Sequence, residues 1–247
     1  MNGGLKTMVL PILAGLVGAG SAALYMASAE PAAAPVNPTD RAAIETIVRE
    51  YILTHPEILP QAMENLRAQE LSKVVETNRK LIETPIGDAW EGAADADVTL
   101  VEFYDYACGY CRASLTDIEK LLAEDKKLKV VYRDMPVLGE DSVEAARLSV
   151  AAAMAGKFNL MHKPLYAKGR PTPEALAVVR KDLALDKAAI GNPAVDQELT
   201  KNLQLQRQLD LSGTPAWVVG SKVLVGAVGH DALKAAIAEA RAAKTAR

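Results

Sequence analysis

The chain has 247 residues, is half hydrophobic and carries a net charge of −3. This length suffices for one large domain, or one domain with a small appendage, whose core needs no disulfide bonds. No strongly basic stretch is present, which argues against nucleic acid as a partner. The only cysteines are Cys108 and Cys111. A disulfide that closes so short a loop adds little stability, so the pair is better explained as reactive than as structural.

Residues 1–29 have the pattern of an export signal. Lys6 is followed by an uncharged run, rich in Leu, Val, Ala and Gly, that ends in Ala27-Ser28-Ala29. A basic start, an apolar stretch and small residues at the end describe a secretory signal peptide. The run is also long enough to span a bilayer, so an uncleaved membrane anchor is the main alternative, ahead of a buried core helix. With a signal or an anchor, we expect the rest of the chain to face an oxidising compartment.

A Pro/Ala-rich stretch, residues 30–38, predicts an extended linker, and residues 39–84 predict two helices. Thr39 and Asp40 can cap the first helix, whose apolar residues share one face: Ile44, Ile47, Val48, Tyr51 and Ile52. The second is predicted over about Glu57–Glu83, with near-heptad apolar positions. An exposed apolar stripe needs a partner, so we interpret 39–84 as a helical oligomerisation segment. The alternative is a solvated helix packed on the main domain.

Residues 85–247 predict an α/β domain. Val98–Tyr104 is β-branched and aromatic, as a strand requires, and a helix follows from Cys108 to about Leu122. Leu128–Arg133 predicts a second strand. The pattern is then helical over about 139–211, a hairpin follows over 216–226, and the last helix is predicted over Asp231–Ala243.

The Cys108-Gly109-Tyr110-Cys111 motif lies where this helix begins. Unpaired N–H groups and the positive end of the helix dipole favour the thiolate of the first cysteine, which is the nucleophile of disulfide exchange. We therefore assign Cys108 as the attacking residue and Cys111 as the resolving residue. Half of a zinc site is the main alternative, but zinc needs four ligands and the three histidines lie far apart in the sequence. No metal or other cofactor is expected.

Glu102 is a second candidate catalytic residue, since it lies in an apolar strand six residues before Cys108. If it is buried, desolvation should raise its pKa, and it could accept or donate a proton during exchange. The alternative is an edge position facing water.

Three further features surround the motif. The dipeptide Thr214-Pro215 precedes the hairpin, and X-Pro bonds are usually trans. Tyr104 and Tyr106 could line a peptide groove or belong to the core. His162 is more typical of a surface or capped histidine than of a catalytic one.

Three runs resemble the DsbA-like thioredoxin family. They are VEFYDYACGYCRAS (101–114), RDMPVLGEDSVEAARLSVAA (133–152) and SGTPAWVVGSKVLVGAV (212–228). The resemblance implies a thioredoxin fold with an all-helical insertion, preceded by the N-terminal helical segment. It also implies a cis Thr214–Pro215 bond, a buried Glu102, and a substrate groove around the dithiol that includes Gly109, Tyr110, Thr214 and Pro215.

The run ETIVREYILTHPEILPQAMENL (45–66) resembles the N-terminal region of suppressor-of-copper-sensitivity C proteins, which are periplasmic thiol–disulfide proteins. This resemblance implies a periplasmic protein that acts on exported cysteine-containing proteins. It also implies a homo-oligomer and a membrane thiol reductase partner of the DsbD or ScsB type.

The motif departs from that of the strong DsbA-type oxidases, which carry Pro-His between the cysteines and Val before the cis-proline. Gly109-Tyr110 and Thr214 resemble the disulfide isomerases instead. We therefore expect a couple less oxidising than the roughly −120 mV of the strong oxidase, in a disulfide isomerase or reductase. A dithiol oxidase is the alternative. A Cu(I)-binding protein is a further one, since thiolates bind soft ions, although the methionines form no cluster.

Overall fold

The computed structural model describes residues 38–245. The predicted signal or anchor and almost all of the predicted linker lie outside these residues. Within them, no helix combines the length and hydropathy needed to cross a membrane. The described chain forms two units, one ending at Leu59 and the other beginning at Pro60.

The first unit contains helix α1, Pro38–Thr54, and the start of helix α2, Ile58–Glu83. Both predicted N-terminal helices are confirmed, with ends within a residue or so of those predicted. The face of α1 formed by Ile44, Ile47, Val48 and Tyr51 is exposed. Among residues 38–245, nothing covers this apolar stripe.

The second half of α2 belongs to the second unit. Its Val75 and Ile82 are fully buried in a cluster with Phe103 and Val131 of the sheet. The division at Leu59–Pro60 therefore comes earlier in the chain than the predicted boundary at residue 84. The reason is that these two apolar side chains bury the end of α2 against the sheet of the second unit.

A sheet in the order β1-β3-β2-β4-β5 forms the centre of the second unit. Its strands are β1 (Trp90–Gly92), β2 (Val98–Tyr104), β3 (Leu128–Asp134), β4 (Ala216–Val219) and β5 (Lys222–Val225). Strands β2 and β3 are parallel, and the other pairs are antiparallel. Strand β1 was not predicted, because three residues are too short for a periodic signal and its pairing with β3 is non-local.

Helices cover both faces of the sheet. Leu100 and Tyr104 of β2 share one core cluster with helix α3 (Gly109–Glu124), the start of the insertion and helix α9 (His230–Thr245). Val101 and Phe103 of the same strand pack on the other face with α2 and helix α8 (Pro193–Gln208). The active-site strand is thus buried on both sides.

The predicted all-helical insertion between β3 and β4 is confirmed. It comprises α4 (Glu140–Met154), α5 (Phe158–Ala167), α6 (Pro173–Asp182), α7 (Lys187–Ile190) and α8 (Pro193–Gln208). The side chains of Thr172, Asp186 and Asn192 cap α6, α7 and α8 by accepting backbone N–H bonds. These local signals explain why the sequence predicts helices here.

Arg133 of β3 is a buried cation that ends helix α2. Its guanidinium donates to the carbonyls of Leu81, Ile82 and Thr84, and to Asn202 Oδ1 of α8 at 3.1 Å. Burial lowers the pKa of Arg133 to about 10, so it remains charged at neutral pH. Because the last carbonyls of a helix have no partners within the helix, this side chain satisfies groups that would otherwise be buried unpaired.

We expect the substitution Arg133→Leu to lower the free energy of unfolding by about 2–4 kcal/mol, because several buried acceptors lose their donor. Urea unfolding followed by circular dichroism measures the change. The control is Arg67→Leu, which removes an exposed ion pair with Asp210 and should cost at most about 1 kcal/mol. Equal losses for the two variants would contradict a capping role for Arg133.

Candidate active site

Cys108 is the N-cap residue of α3, one residue before the first helical residue, Gly109. Its N–H donates to the Asp105 carbonyl at 3.0 Å, and its carbonyl accepts from Arg112 N–H at 3.2 Å. No side chain caps this helix end. The first cysteine therefore lies at the positive end of the helix, where a thiolate is favoured.

The two thiols have different environments. Both cysteines are free, Cys108 is 7% exposed, and Cys111 is 0% exposed one turn into the helix. Burial raises the pKa of Cys111 well above the usual value for a thiol, and the negative charge of Glu102 raises it further. An incoming sulfur can therefore reach Cys108 more readily, while Cys111 is held as a protonated thiol behind it.

The Thr214–Pro215 peptide bond is cis. This confirms what the family resemblance implied, and the trans bond expected from the dipeptide alone is wrong. The Cys108 thiol donates to the Thr214 carbonyl at 3.3 Å, and the Pro215 carbonyl accepts from Gly226 N–H at 2.8 Å. The loop before β4 thus lies directly against the first cysteine.

Glu102 lies in the middle of β2, paired in register with Tyr132 on one side and Trp217 on the other. It is buried, which rules out the water-facing edge position. Its Oε1 has no hydrogen-bond partner among the described residues. Burial raises the pKa of Glu102 well above its ordinary value, and the charge of Cys108 adds to the effect. The carboxyl is thus held neutral on the sheet face that carries α3.

The remaining residues of the motif face outward. Tyr110 is 70% exposed, and a Cβ at Gly109 would meet nothing. Neither residue is therefore constrained by packing, which leaves both accessible to a partner of the dithiol.

A cluster of buried hydroxyl and aromatic groups lies on the same face of the sheet. Tyr104 OH is 2.9 Å from Ser149 Oγ, and Tyr106 OH is 2.9 Å from Nδ1 of His162. Tyr104 and Tyr106 therefore belong to the core and do not line a groove. The surface or capped position expected for His162 is wrong, because it is buried among the rings of this cluster. Burial lowers the pKa of His162 to about 3, so it is neutral.

Asp134 is a second buried acid that the sequence did not single out. It pairs in register with Tyr104 at the end of β3, and its Oδ1 has no hydrogen-bond partner among the described residues. Burial raises the pKa of Asp134 to about 7. An aspartate at the end of a strand gives no sequence signal of burial. The helices that cover Asp134 come from the insertion, which is distant in sequence.

The chain matches two known protein families. Residues 99–238, more than half of the chain, match the family described as DSBA-like thioredoxin domain. The chain belongs to this family. Residues 40–70 match a second family, described as copper resistance protein ScsC N-terminal domain.

Two solved structures are similar to the chain over most of their own length. A thioredoxin-like oxidoreductase from Silicibacter pomeroyi is 31% identical, covering 66% of this chain and 98% of its own, with a TM-score of 0.62. Proteus mirabilis ScsC in a transitional conformation is 26% identical, covering 85% of this chain and 99% of its own, with a TM-score of 0.63. Together with the family match, they support thiol–disulfide oxidoreductase activity in general.

A curated relative is much longer than this DSBA-like chain. The Na(+)/H(+) antiporter NhaA 3 of Salinispora tropica is 28% identical over 163 residues, which are 63% of this chain and 25% of the antiporter. This chain therefore spans about a quarter of the length of the curated relatives it matches.

We expect Glu102→Gln to become increasingly stable relative to the unsubstituted protein as the pH rises above about 4.3, the ordinary pKa of an unfolded Glu. Below its raised folded pKa, native Glu102 keeps a proton that the unfolded chain releases, so the native protein loses stability as the pH rises through this interval. Glutamine has no such proton. Asp134 is present in both proteins, so its contribution to the pH dependence of stability cancels in the comparison. Urea unfolding from pH 5 to pH 8 measures the difference.

The control is Asp95→Asn, because the contact with Lys127 lowers the pKa of Asp95. Asp95 is ionised in both the folded and the unfolded chain from pH 5 to pH 8, so the stability difference between this variant and the unsubstituted protein should stay constant over that range. A difference between Glu102→Gln and the unsubstituted protein that stays constant with pH would contradict a neutral, buried Glu102.

Proposed function

We propose that this protein is a disulfide isomerase or reductase that acts on exported cysteine-containing proteins, with Cys108 attacking and Cys111 resolving. One observation carries the proposal: Cys108 lies at the open N-terminus of α3 against the Thr214 carbonyl, while Cys111 is fully buried behind it. This asymmetry separates the attacking thiol from the resolving one.

The reduced protein begins the exchange. The Cys108 thiolate attacks one sulfur of a substrate disulfide, forming a mixed disulfide and releasing the other substrate sulfur as a thiolate. In isomerisation, a substrate thiolate attacks the mixed disulfide, so a new substrate disulfide forms and Cys108 leaves as the thiolate. In reduction, Cys111 loses its proton and attacks Cys108, which leaves the substrate reduced and the protein oxidised.

Glu102 is proposed to carry the proton of Cys111. Its ionised form accepts the proton as Cys111 attacks, and its neutral form returns it when the Cys108–Cys111 disulfide is reduced. The charge of Glu102 raises the pKa of Cys111, and the charge of Cys108 raises the pKa of Glu102, which supports an electrostatic coupling between this acid and the dithiol. Because Oε1 has no competing hydrogen bond among the described residues, this oxygen is available for the transfer.

The direction of the reaction is inferred from the residues near the thiols. The two residues between the cysteines are Gly109 and Tyr110, so no cationic histidine lies there. Thr214 precedes the cis-proline. Both features favour a less oxidising couple than that of a strong oxidase. The direction proposed requires a reduced dithiol, which a membrane thiol reductase of the DsbD or ScsB type would maintain. A dithiol oxidase is the alternative.

The periplasm is the proposed location. The export signal predicted in residues 1–29 and the resemblance to the suppressor-of-copper-sensitivity C proteins support it, with attachment to the inner membrane if the signal is not cleaved.

A second candidate function is Cu(I) binding by the two cysteines, as the description of the family matched by residues 40–70 suggests. Two neighbouring thiolates suit a soft ion. The burial of Cys111 as a protonated thiol disfavours it, since a metal would need that proton removed.

The redox state of the Cys108–Cys111 pair in glutathione buffers decides between these functions. We expect a potential near the roughly −180 mV of protein disulfide isomerase, or lower. A value near about −120 mV would indicate an oxidase. A pair that does not cycle would refute the oxidoreductase proposal and favour Cu(I) binding. In the same buffers Cys111→Ser should accumulate mixed disulfides, whereas the control Cys108→Ser should form none.

We also propose that helix α1 forms the contact between copies in a homo-oligomer. Ile44, Ile47, Val48 and Tyr51 recur at helical spacing, and each is about half exposed or more. A stripe of this kind on one helix is the pattern that packs against a second copy. An oligomer would hold several dithiols around one misoxidised substrate.

The oligomer is tested by substituting Ile47→Glu, which places a charge in the centre of the stripe. We expect the mass measured by light scattering to fall to that of a monomer, because an unpaired charge in an apolar interface is costly. The control is Thr46→Glu on the opposite face of α1, which should leave the mass unchanged. A monomeric unsubstituted protein, or one whose mass Ile47→Glu does not change, would overturn the proposal.

A further inference from the structure

Asp105, the residue after strand β2, is a buried carboxylate whose partners are all backbone N–H groups. Its Oδ1 accepts from Ala107 at 2.8 Å. Its Oδ2 accepts from Val137 at 2.9 Å and from Leu138 at 3.0 Å. One side chain therefore binds the turn that leads into the dithiol and, on its other oxygen, the loop between β3 and α4.

The main chain of Asp105 adds two contacts through its carbonyl oxygen. It accepts from Cys108 N–H at 3.0 Å and from the Tyr166 hydroxyl of α5 at 3.1 Å. The residue thus joins three parts of the molecule that are far apart in sequence: the redox turn, the loop at residues 137–138 and the helical insertion.

The loop that Asp105 holds exposes apolar side chains. Val137 is 41% exposed and Leu138 is 47% exposed, although the backbone N–H groups of both are bound to a buried carboxylate. Tyr110 of the redox motif, two residues after Cys108, is exposed too. Large apolar side chains held at fixed positions at a reactive site suit contact with a partner more than they suit solvent.

We propose that Asp105 is a positioning residue, which holds Val137 and Leu138 beside the dithiol so that they contact apolar residues flanking the cysteine of a polypeptide substrate. This inference rests on the proposed thiol–disulfide exchange and names its substrate class. The occupant is a polypeptide, because the residue that binds the N–H groups of Val137 and Leu138 also accepts the Cys108 N–H, which ties the apolar loop to the residue that the substrate sulfur meets. A small disulfide bound at that sulfur would not extend to Val137 and Leu138.

Asparagine is a sharp probe of this role because it has nearly the shape of aspartate. Its amide has one oxygen, which can accept, and one NH2 group, which can only donate. The NH2 group would therefore face a backbone N–H in place of one of the two aspartate oxygens. Either the Ala107 bond or both loop bonds are lost. The Asp105 side chain makes no hydrogen bond to either sulfur, so the chemistry of the thiols themselves is not its direct target.

The experiment compares three disulfides as substrates of the reduced protein: oxidised glutathione, a short peptide disulfide with Leu and Val beside the cysteine, and the same peptide with Gly at those positions. We expect Asp105→Asn to lower kcat/KM for the apolar peptide about tenfold, mainly through KM, with a change of less than about twofold for glutathione and the Gly peptide. The variant Val137→Ser/Leu138→Ser should show the same selective loss with Asp105 intact.

The matched control is Asp125→Asn at the other end of α3, where the carboxylate also accepts a backbone N–H two residues on, from Lys127. It should leave all three substrates unchanged. Circular dichroism checks folding, and if Asp105→Asn does not fold, the double variant decides, since both of its side chains are exposed.

Three outcomes are distinguished. An equal loss with all three disulfides would overturn the proposal, because Asp105 would then act on the thiols or on folding. An unchanged preference for the apolar peptide in both the Asp105 variant and the double variant would overturn it too. If the unsubstituted protein exchanges with none of the disulfides, the proposed function is refuted. The positioning role of Asp105, which rests on that function, is then refuted as well.

Discussion

The hydrogen bond between the Cys108 thiol and the Thr214 carbonyl depends on how the central strand is paired. Strand β2 runs parallel to β3 and antiparallel to β4, with Phe103 opposite Ala216. The chain therefore enters β4 at the same edge at which β2 ends and α3 begins. Residues 108 and 214, more than a hundred positions apart in sequence, meet there. The dithiol site is thus a product of sheet topology as much as of the motif.

Neighbouring residues of β3 show how the two faces of the sheet are used. Arg133 points to the face covered by α2 and remains charged, with helix-end carbonyls as partners. Asp134 points to the opposite face, where burial raises its pKa and one oxygen is unpaired. Each nitrogen of the charged group on the α2 face donates at least one hydrogen bond, which stabilises the fold. The acids on the active-site face are incompletely bonded, which costs stability and is typical of functional positions.

Much of the fold could be predicted from the sequence because its signals are local. The run Val98–Tyr104, the helix after it, the capped helices of the insertion and the final hairpin each follow from composition and spacing over a few residues. The burial of Glu102 and the cis Thr214–Pro215 bond came from the family resemblance, and the structure agrees with both. The positions that could not be predicted depend on distant partners. His162 is buried against rings from strands β2 and β3, and Arg133 against the end of a helix fifty residues earlier.

Glu102 and Asp105 are carboxylic acids three residues apart, and their surroundings give them opposite properties. Glu102 faces apolar side chains and a thiol, has an oxygen without a partner, and is held neutral, so its proton is available for exchange. Asp105 accepts three backbone N–H bonds, which give it a fixed geometry. Under the proposed function, this strand end supplies both requirements of exchange with a polypeptide. Glu102 would move the proton of the resolving thiol, and Asp105 would keep the surface around the attacking thiol in place.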